Sequence, residues 1–237
     1  MGPVAPKAST VERTLARLGS RTHGVVTRRE LLDAGVTADE IRQRLKNGSL
    51  LPQYRGVYRV GHTAPSLEAT YLAAVRACGA DAALSGKAAA FLYKLIRGPE
   101  PRPEVTTRSQ KRVPGVTTRR SRTVEMVTYR GIPVTTVART LVELASTLSL
   151  DDLARACHEA GVKYRTTPGQ VEDALARRPK TKGAAKLRKI LRGDTHVSLS
   201  SSSDGSSISY VANASSCQKP IGSWTAAAWT AAGRSSA

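Results

Sequence analysis

Two capping boxes stand close together near the N-terminus, Thr27 with Glu30 and Thr37 with Glu40. In such a box the cap hydroxyl accepts from the third amide of the helix, and the Glu carboxylate accepts from the cap amide. Each box favours its helix start by about 1 kcal/mol. Ser9 with Glu12 predicts a third box. Stop signals follow at the right distances. Gly19 closes a first helix whose stripe is Val11, Leu15 and Leu18, Gly35 closes a second over Arg28 to Asp33 or Ala34, and Asn47-Gly48 closes a third from Ala38 to about Lys46.

The third helix buries Ala38, Ile41 and Leu45. At 100° per residue Gln43 then points away from the core, Asp39 and Lys46 lie beside it, and Arg42 and Arg44 take the flanks. Leu50-Leu51 and Tyr54 to Val60 follow as two extended runs joined through Pro52-Gln53, with Arg55 and Arg59 on the second run. Capped helix, turn, capped helix and hairpin are the outline of a winged helix-turn-helix. In that arrangement the third helix enters the major groove, where Gln pairs with adenine and Arg with guanine. Arg28, Arg29, Arg55 and Arg59 are expected on phosphates, fixing register without reading sequence.

Composition supports a polyanionic partner: 37 Lys+Arg against 18 Asp+Glu give a net charge of +19. Basic residues spread along the chain, with no apolar run of about 18 residues and no signal peptide, argue against a membrane and for the cytoplasm. Cys78, Cys157 and Cys217 are odd in number and far apart, which leaves neither a disulfide framework nor a zinc spacing. No metal or cofactor is expected. Cys157 and His158 are helix neighbours whose side chains diverge by about 100° and cannot form a nucleophile–base pair. The chain is not expected to be an enzyme.

Beyond Gly61 the pattern changes to mixed α and β. A helix from Leu67 to Cys78 presents Leu67, Tyr71, Ala74, Val75 and Cys78 on one face, and Ser85 is expected to cap a helix from Gly86 to Ile96. Extended segments are predicted at Glu104 to Thr107, Gly115 to Arg120, Met126 to Tyr129 and Ile132 to Val134. Helices are predicted at Ala138 to Thr147, Leu150 to Glu159, Pro168 to Arg177 and Gly183 to Leu191. Arg108 to Arg122 carries six basic residues and no acid; it reads either as a second nucleic-acid contact or as charge guarding exposed strand edges, with the edge reading preferred. The basic stretch from Arg177 to Lys189 has no interleaved aromatic for base stacking and reads as a solvated helix start. From Asp194 a Ser- and Ala-rich tail with Trp224 and Trp229 is expected to be disordered.

The runs from His23 to Leu50, Arg55 to Gly61 (RGVYRVG), Ala83 to Leu95 and Gly131 to Ala145 (GIPVTTVARTLVELA) resemble the AbiEi-like family of bacterial antitoxins and transcriptional regulators. The resemblance implies promoter binding by the N-terminal winged helix. It further implies a type IV toxin–antitoxin role, in which a nucleotidyltransferase-like toxin is neutralised without a stable complex. It carries over no catalytic residue. Where relatives show Ser-His-Arg and a Trp after the position of Ser85, this chain has Gly86, Lys87 and Tyr93. Many similar chains continue into a domain resembling very-short-patch-repair endonucleases. The tail here reads instead like an out-of-frame translation, so an inactive truncated member of that group is one alternative and an RNA-binding module another.

The expected architecture is α+β and mostly α. A winged helix-turn-helix occupies 1–62, an AbiEi-like α+β domain 63–193, and a disordered tail 194–237. Double-stranded promoter DNA is the expected partner, and Arg28, Arg29, Arg42, Gln43, Arg44, Lys46, Arg55 and Arg59 are the expected contacts.

Overall fold

Both predicted capping boxes form in the computed structural model, which describes residues 7–61, 66–109 and 111–193. Thr27 Oγ1 accepts from the Glu30 amide at 3.2 Å, and Glu30 Oε2 accepts from the Thr27 amide at 2.8 Å. Thr37 and Glu40 repeat both bonds at 3.2 and 2.8 Å. The boxes open α2 (Arg28–Asp33) and α3 (Ala38–Lys46). The expected third box does not form, because α1 (Lys7–Ser20) already runs through Ser9. Glu12 is therefore inside the helix, where its carboxylate accepts from Arg44 Nε at 2.9 Å.

The chain divides by its contacts into two units, Met1–Thr140 and Leu141–Ala237. In the first, β1 (Val25–Thr27), β2 (Leu50–Tyr54) and β3 (Val57–Val60) form an antiparallel sheet in the order β1-β3-β2. The strand β1 escaped the sequence reading, although Val25, Val26 and Thr27 are all β-branched. Pro52-Gln53 lies inside β2 at a register irregularity, so the predicted connection is displaced to Arg55-Gly56, where Gly56 has a φ of +73°. Strand alternation sends Val26, Leu50, Tyr58 and Val60 into one core with Val11, Leu15, Leu31, Val36 and Ile41.

The opposite face of this sheet meets α4 (Leu67–Cys78), which contacts β1, β2 and β3. The same helix also touches β4 (Ala83–Leu84), β5 (Glu104–Thr107) and β8 (Ile132–Thr135), three strands of a second sheet. Burial consequently exceeds the single predicted face, since Ala69, Leu72 and Ala73 are enclosed as well as Tyr71, Ala74, Val75 and Cys78. A helix apolar on most sides is a core helix. Arg76 leaves it toward the first sheet. Its Nη1 donates to the Val25 carbonyl at 2.7 Å and to Glu30 Oε2 at 2.8 Å, the oxygen that also completes the α2 capping box.

The second sheet has the order β6-β5-β4-β8-β7, with β6 (Thr117–Arg120) and β7 (Met126–Tyr129) at its edges. The two-residue β4 was not anticipated. α5 (Gly86–Leu92) stops a turn earlier than expected. Ser85 Oγ makes no cap bond and is buried without a partner, so its predicted capping role is not realised. Glu104 Oε1 accepts from the Lys87 amide instead. Tyr93 fixes the other end of the sheet: its hydroxyl donates to the Thr135 carbonyl at 3.0 Å and its ring lies 4.8 Å from that of Tyr129. At the tip of the β7–β8 hairpin, His23 Nε2 donates to the Arg130 carbonyl at 2.7 Å, and Arg130 pairs with Glu68 at 3.0 Å.

α6 (Val137–Leu144) carries the chain into the second unit, which holds α7 (Leu150–Tyr164), α8 (Pro168–Ala176) and α9 (Ala184–Leu191). Leu153, Cys157, Ala160, Val171, Leu175 and Leu187 are buried. Thr167 and Gln170 form a capping box with Pro168 in the first turn of α8. Gly183 has a φ of +83°, and a Cβ there would lie 2.1 Å from the Ala145 carbonyl oxygen, so only glycine fits. The tail expected from Asp194 lies outside the described residues. Among the described residues no helix is long and apolar enough to cross a membrane, and no group of three His, Cys, Asp or Glu is placed to hold a metal ion.

Two measurements test this packing. Burial pushes the Cys157 thiol up to about 12 and also raises that of Cys78, so both stay protonated and enclosed at neutral pH. A thiol–disulfide reagent at pH 8 is expected to count two further thiols when urea unfolds the chain; full modification before unfolding contradicts the packing. Arg76→Met keeps the aliphatic stem but strips donors from the Val25 carbonyl and Glu30. It is expected to lower stability by about 1–3 kcal/mol, read as a lower urea midpoint.

Candidate nucleic-acid interface

The α3 helix exposes a polar face because its apolar residues are confined to Ile41 and the half-buried Leu45 and Ala38. Asp39, Arg42, Gln43 and Lys46 are all exposed. Arg42 Nη1 pairs with Asp39 at 2.7 Å, but the side chains are 77 % and 83 % exposed. Such a pair contributes little to stability and releases its arginine readily. Asp39 and Glu40 lie in the first turn and Lys46 in the last, which matches the helix dipole.

Arg44 departs from the expected outward placement. It is 7 % exposed, donates from Nε to Glu12 at 2.9 Å and from Nη1 to the Glu40 carbonyl at 3.1 Å, and so ties α3 to α1. The helical angle put it on the flank, within reach of either surface. The long aliphatic stem lets it cover the seam between the helices while its head meets an acid from another element. Only a partner 32 residues earlier decides the direction, and helical periodicity does not show that partner.

A second group of cations gathers where α2 begins. The Arg28 amide donates to the Gly56 carbonyl at 2.8 Å, so the first residue of α2 and the β2–β3 turn are adjacent. Arg28, Arg29 and Arg55 are exposed there, and Arg29 keeps a loose 3.6 Å pair with Asp33. The displaced turn puts Arg55 at its tip rather than on a strand. Arg59 is corrected too. It lies on the central strand β3, opposite Val25 and Leu51, with its side chain on the α4 side of the sheet, half-buried and with Nε enclosed. Two groups therefore remain on the surface: Arg42, Gln43 and Lys46 on α3, and Arg28, Arg29 and Arg55 around the turn.

The stretch from Arg108 to Arg122 forms edge strand β6 and its approaches. Arg108, Lys111, Arg112, Arg119, Arg120 and Arg122 are exposed, and Arg119 reaches Glu104 at 3.4 Å. His158 is exposed and Cys157 buried.

No curated protein matches this chain. Residues 13–61, which take in most of α1 and continue through α2 and α3 to the end of β3, match the family described as transcriptional regulator, AbiEi antitoxin.

Proposed function

We propose that the chain is an antitoxin-like regulator whose residues 1–62 form a winged helix-turn-helix on double-stranded promoter DNA. The observation that carries this reading is the exposed α3 face with Gln43 at its centre and Arg42 and Lys46 to its sides, together with the exposed cations around the β2–β3 turn. The order α-β-α-α-β-β supports it, as does the family match over 13–61. Arg42, Gln43 and Lys46 meet the major groove; Gln43 offers a donor and an acceptor to adenine, and Arg42 swings from Asp39 to guanine or phosphate. Arg28, Arg29 and Arg55 take phosphates. Arg44 and Arg59 act indirectly by fixing α3 and the sheet. The family's type IV arrangement is proposed with it: residues 63–193 oppose a nucleotidyltransferase-like toxin without forming a stable complex.

Binding is expected to weaken with salt, log K falling by about 0.9 per log unit for each phosphate neutralised. Arg55→Ala reduces that slope by about one phosphate and weakens all sequences alike, whereas Gln43→Ala relaxes discrimination at one base pair by about 1–3 kcal/mol. Fluorescence anisotropy on the chain's own promoter, titrated with salt, reads both effects. A parent chain that binds promoter and random duplex equally overturns the regulator reading.

Asp39 makes a separate prediction. Its carboxylate faces the same groove as Arg42 and repels phosphate, so Asp39→Asn is expected to tighten binding to any duplex at low salt and to lose that advantage as salt rises. An unchanged affinity at low salt shows that α3 does not approach the backbone.

A further inference from the structure

We infer that the edge strand β7 is a self-association surface, on which a second copy of this chain adds its own β7 antiparallel to the first. The inference is independent of the DNA reading. It begins with the contrast between the two edges of the five-stranded sheet. Strand β6 carries Arg119 and Arg120, and no acid lies between residues 108 and 122, so two copies of that edge repel. Strand β7 reads Met-Val-Thr-Tyr, without a charge. Met126 is 43 % exposed and Val127 46 %, adjacent residues that are among the few large hydrophobics left open in the described residues. Among those residues no strand pairs with the outer side of β7.

Backbone geometry identifies which groups are available. Arg130 and Gly131 form the two-residue hairpin turn with φ of +50° and +74°, closing on the pair Tyr129–Ile132. Hydrogen-bonded and non-hydrogen-bonded pairs alternate from there, so Val127 faces inward to Val134, and the Thr136 amide donates to the Glu125 carbonyl at 3.1 Å. The N–H and C=O groups of Met126 and Thr128 therefore point to the open side. An unpaired edge of this kind recruits another strand.

The occupant follows from symmetry and charge. Two copies paired antiparallel about a two-fold axis perpendicular to the sheet must centre on a residue, because facing side chains share one side. With the axis at Val127, the outward groups of Met126 exchange hydrogen bonds with those of Thr128 in the second copy. Val127 meets Val127 of the second copy, a β-branched pair on one face. Glu125 of each copy comes to lie beside Tyr129 and Arg130 of the other. Glu125 and Arg130, which flank the strand, thus come together only in the antiparallel sense. For a chain of net charge +19, contact between copies is confined to surfaces that are neutral or self-complementary, and β7 is both. Four residues per copy make a small interface, so the dimer is weak and reversible.

The test is sedimentation equilibrium of the full chain without DNA, over a concentration series reaching the millimolar range, with hydrogen exchange on the same samples. The expected result is a concentration-dependent dimer in which the amides of Met126 and Thr128 become protected as the dimer forms. Val127→Lys sets two ammonium groups against each other across the axis, and Thr128→Pro removes an outward amide while leaving the β8 pairing intact; each is expected to weaken dimerisation at least about tenfold. Arg119→Glu, on the other edge, is expected to leave it unchanged. Thermal unfolding of each variant establishes that it is folded, and if Val127→Lys fails that criterion Thr128→Pro decides. A monomer at every concentration overturns the proposal, as does a dimer that both β7 variants leave intact. Protection of the two amides independent of concentration also overturns it, since the strand's occupant is then part of the same chain.

Discussion

The packing of α4 between two sheets is the constraint on which the first unit depends. Its small residues Ala69, Ala73 and Ala74 let strands approach closely on both sides, and its large ones, Tyr71, Leu72 and Val75, fill the remaining space. An all-apolar helix would leave the Val25 carbonyl and the Glu30 carboxylate with one donor fewer. Arg76 supplies it, and although burial lowers its pKa, the adjacent Glu30 acts in the opposite direction. Because Glu30 Oε2 serves both Arg76 and the Thr27 amide, the start of α2 is tied to a helix whose other side is the core of the second sheet. The polar contacts at the β7–β8 hairpin, His23 to the Arg130 carbonyl and Arg130 to Glu68, repeat the same tie at another corner.

What the sequence discloses of this fold is mainly what is decided within one turn of helix. The Thr–Glu boxes at 27 and 37 and the helix start at Pro168 are local, and their helices appear where the residues put them. Ser9 and Ser85 show the limit of that locality. Both occupy cap-like positions in the sequence, yet α1 starts earlier and the amide of Lys87 is met by Glu104, seventeen residues away on β5. Short strands were lost for a related reason: β1 and β4 have three and two residues and are defined by their partners, not by any periodicity of their own.

The candidate interface divides in the same way. Helical angle alone suffices for Gln43 and Lys46, which lie far from the apolar stripe, and exposure follows; Arg42 sits on a flank as Arg44 does and is exposed all the same. At the edges of the stripe it fails. Arg44 turns inward because Glu12 waits on α1, and Arg59 turns under the sheet because β3 is central, a fact settled by the unpredicted β1. Long cations at boundary angles are ambiguous by construction, since the same stem that reaches solvent also covers a seam. The charge of the chain favours a polyanion but cannot distinguish a groove-facing arginine from a structural one.

The two corrected arginines bear on how α3 and the first sheet are held in place. Arg44 holds α3 against α1 through one acid, and that acid is 56 % exposed on its side chain, so the tie is firm at the arginine end and open at the other. Arg44 also donates to the Glu40 carbonyl within its own helix, so its guanidinium is fixed from two sides. α3 is thus oriented by a buried cation, which leaves its exposed face to residues with loose partners. Arg42, held only by the exposed Asp39, is one such residue. Orientation of the helix and exposure on its polar face are assigned to different arginines two positions apart, and the physical distinction between them is burial.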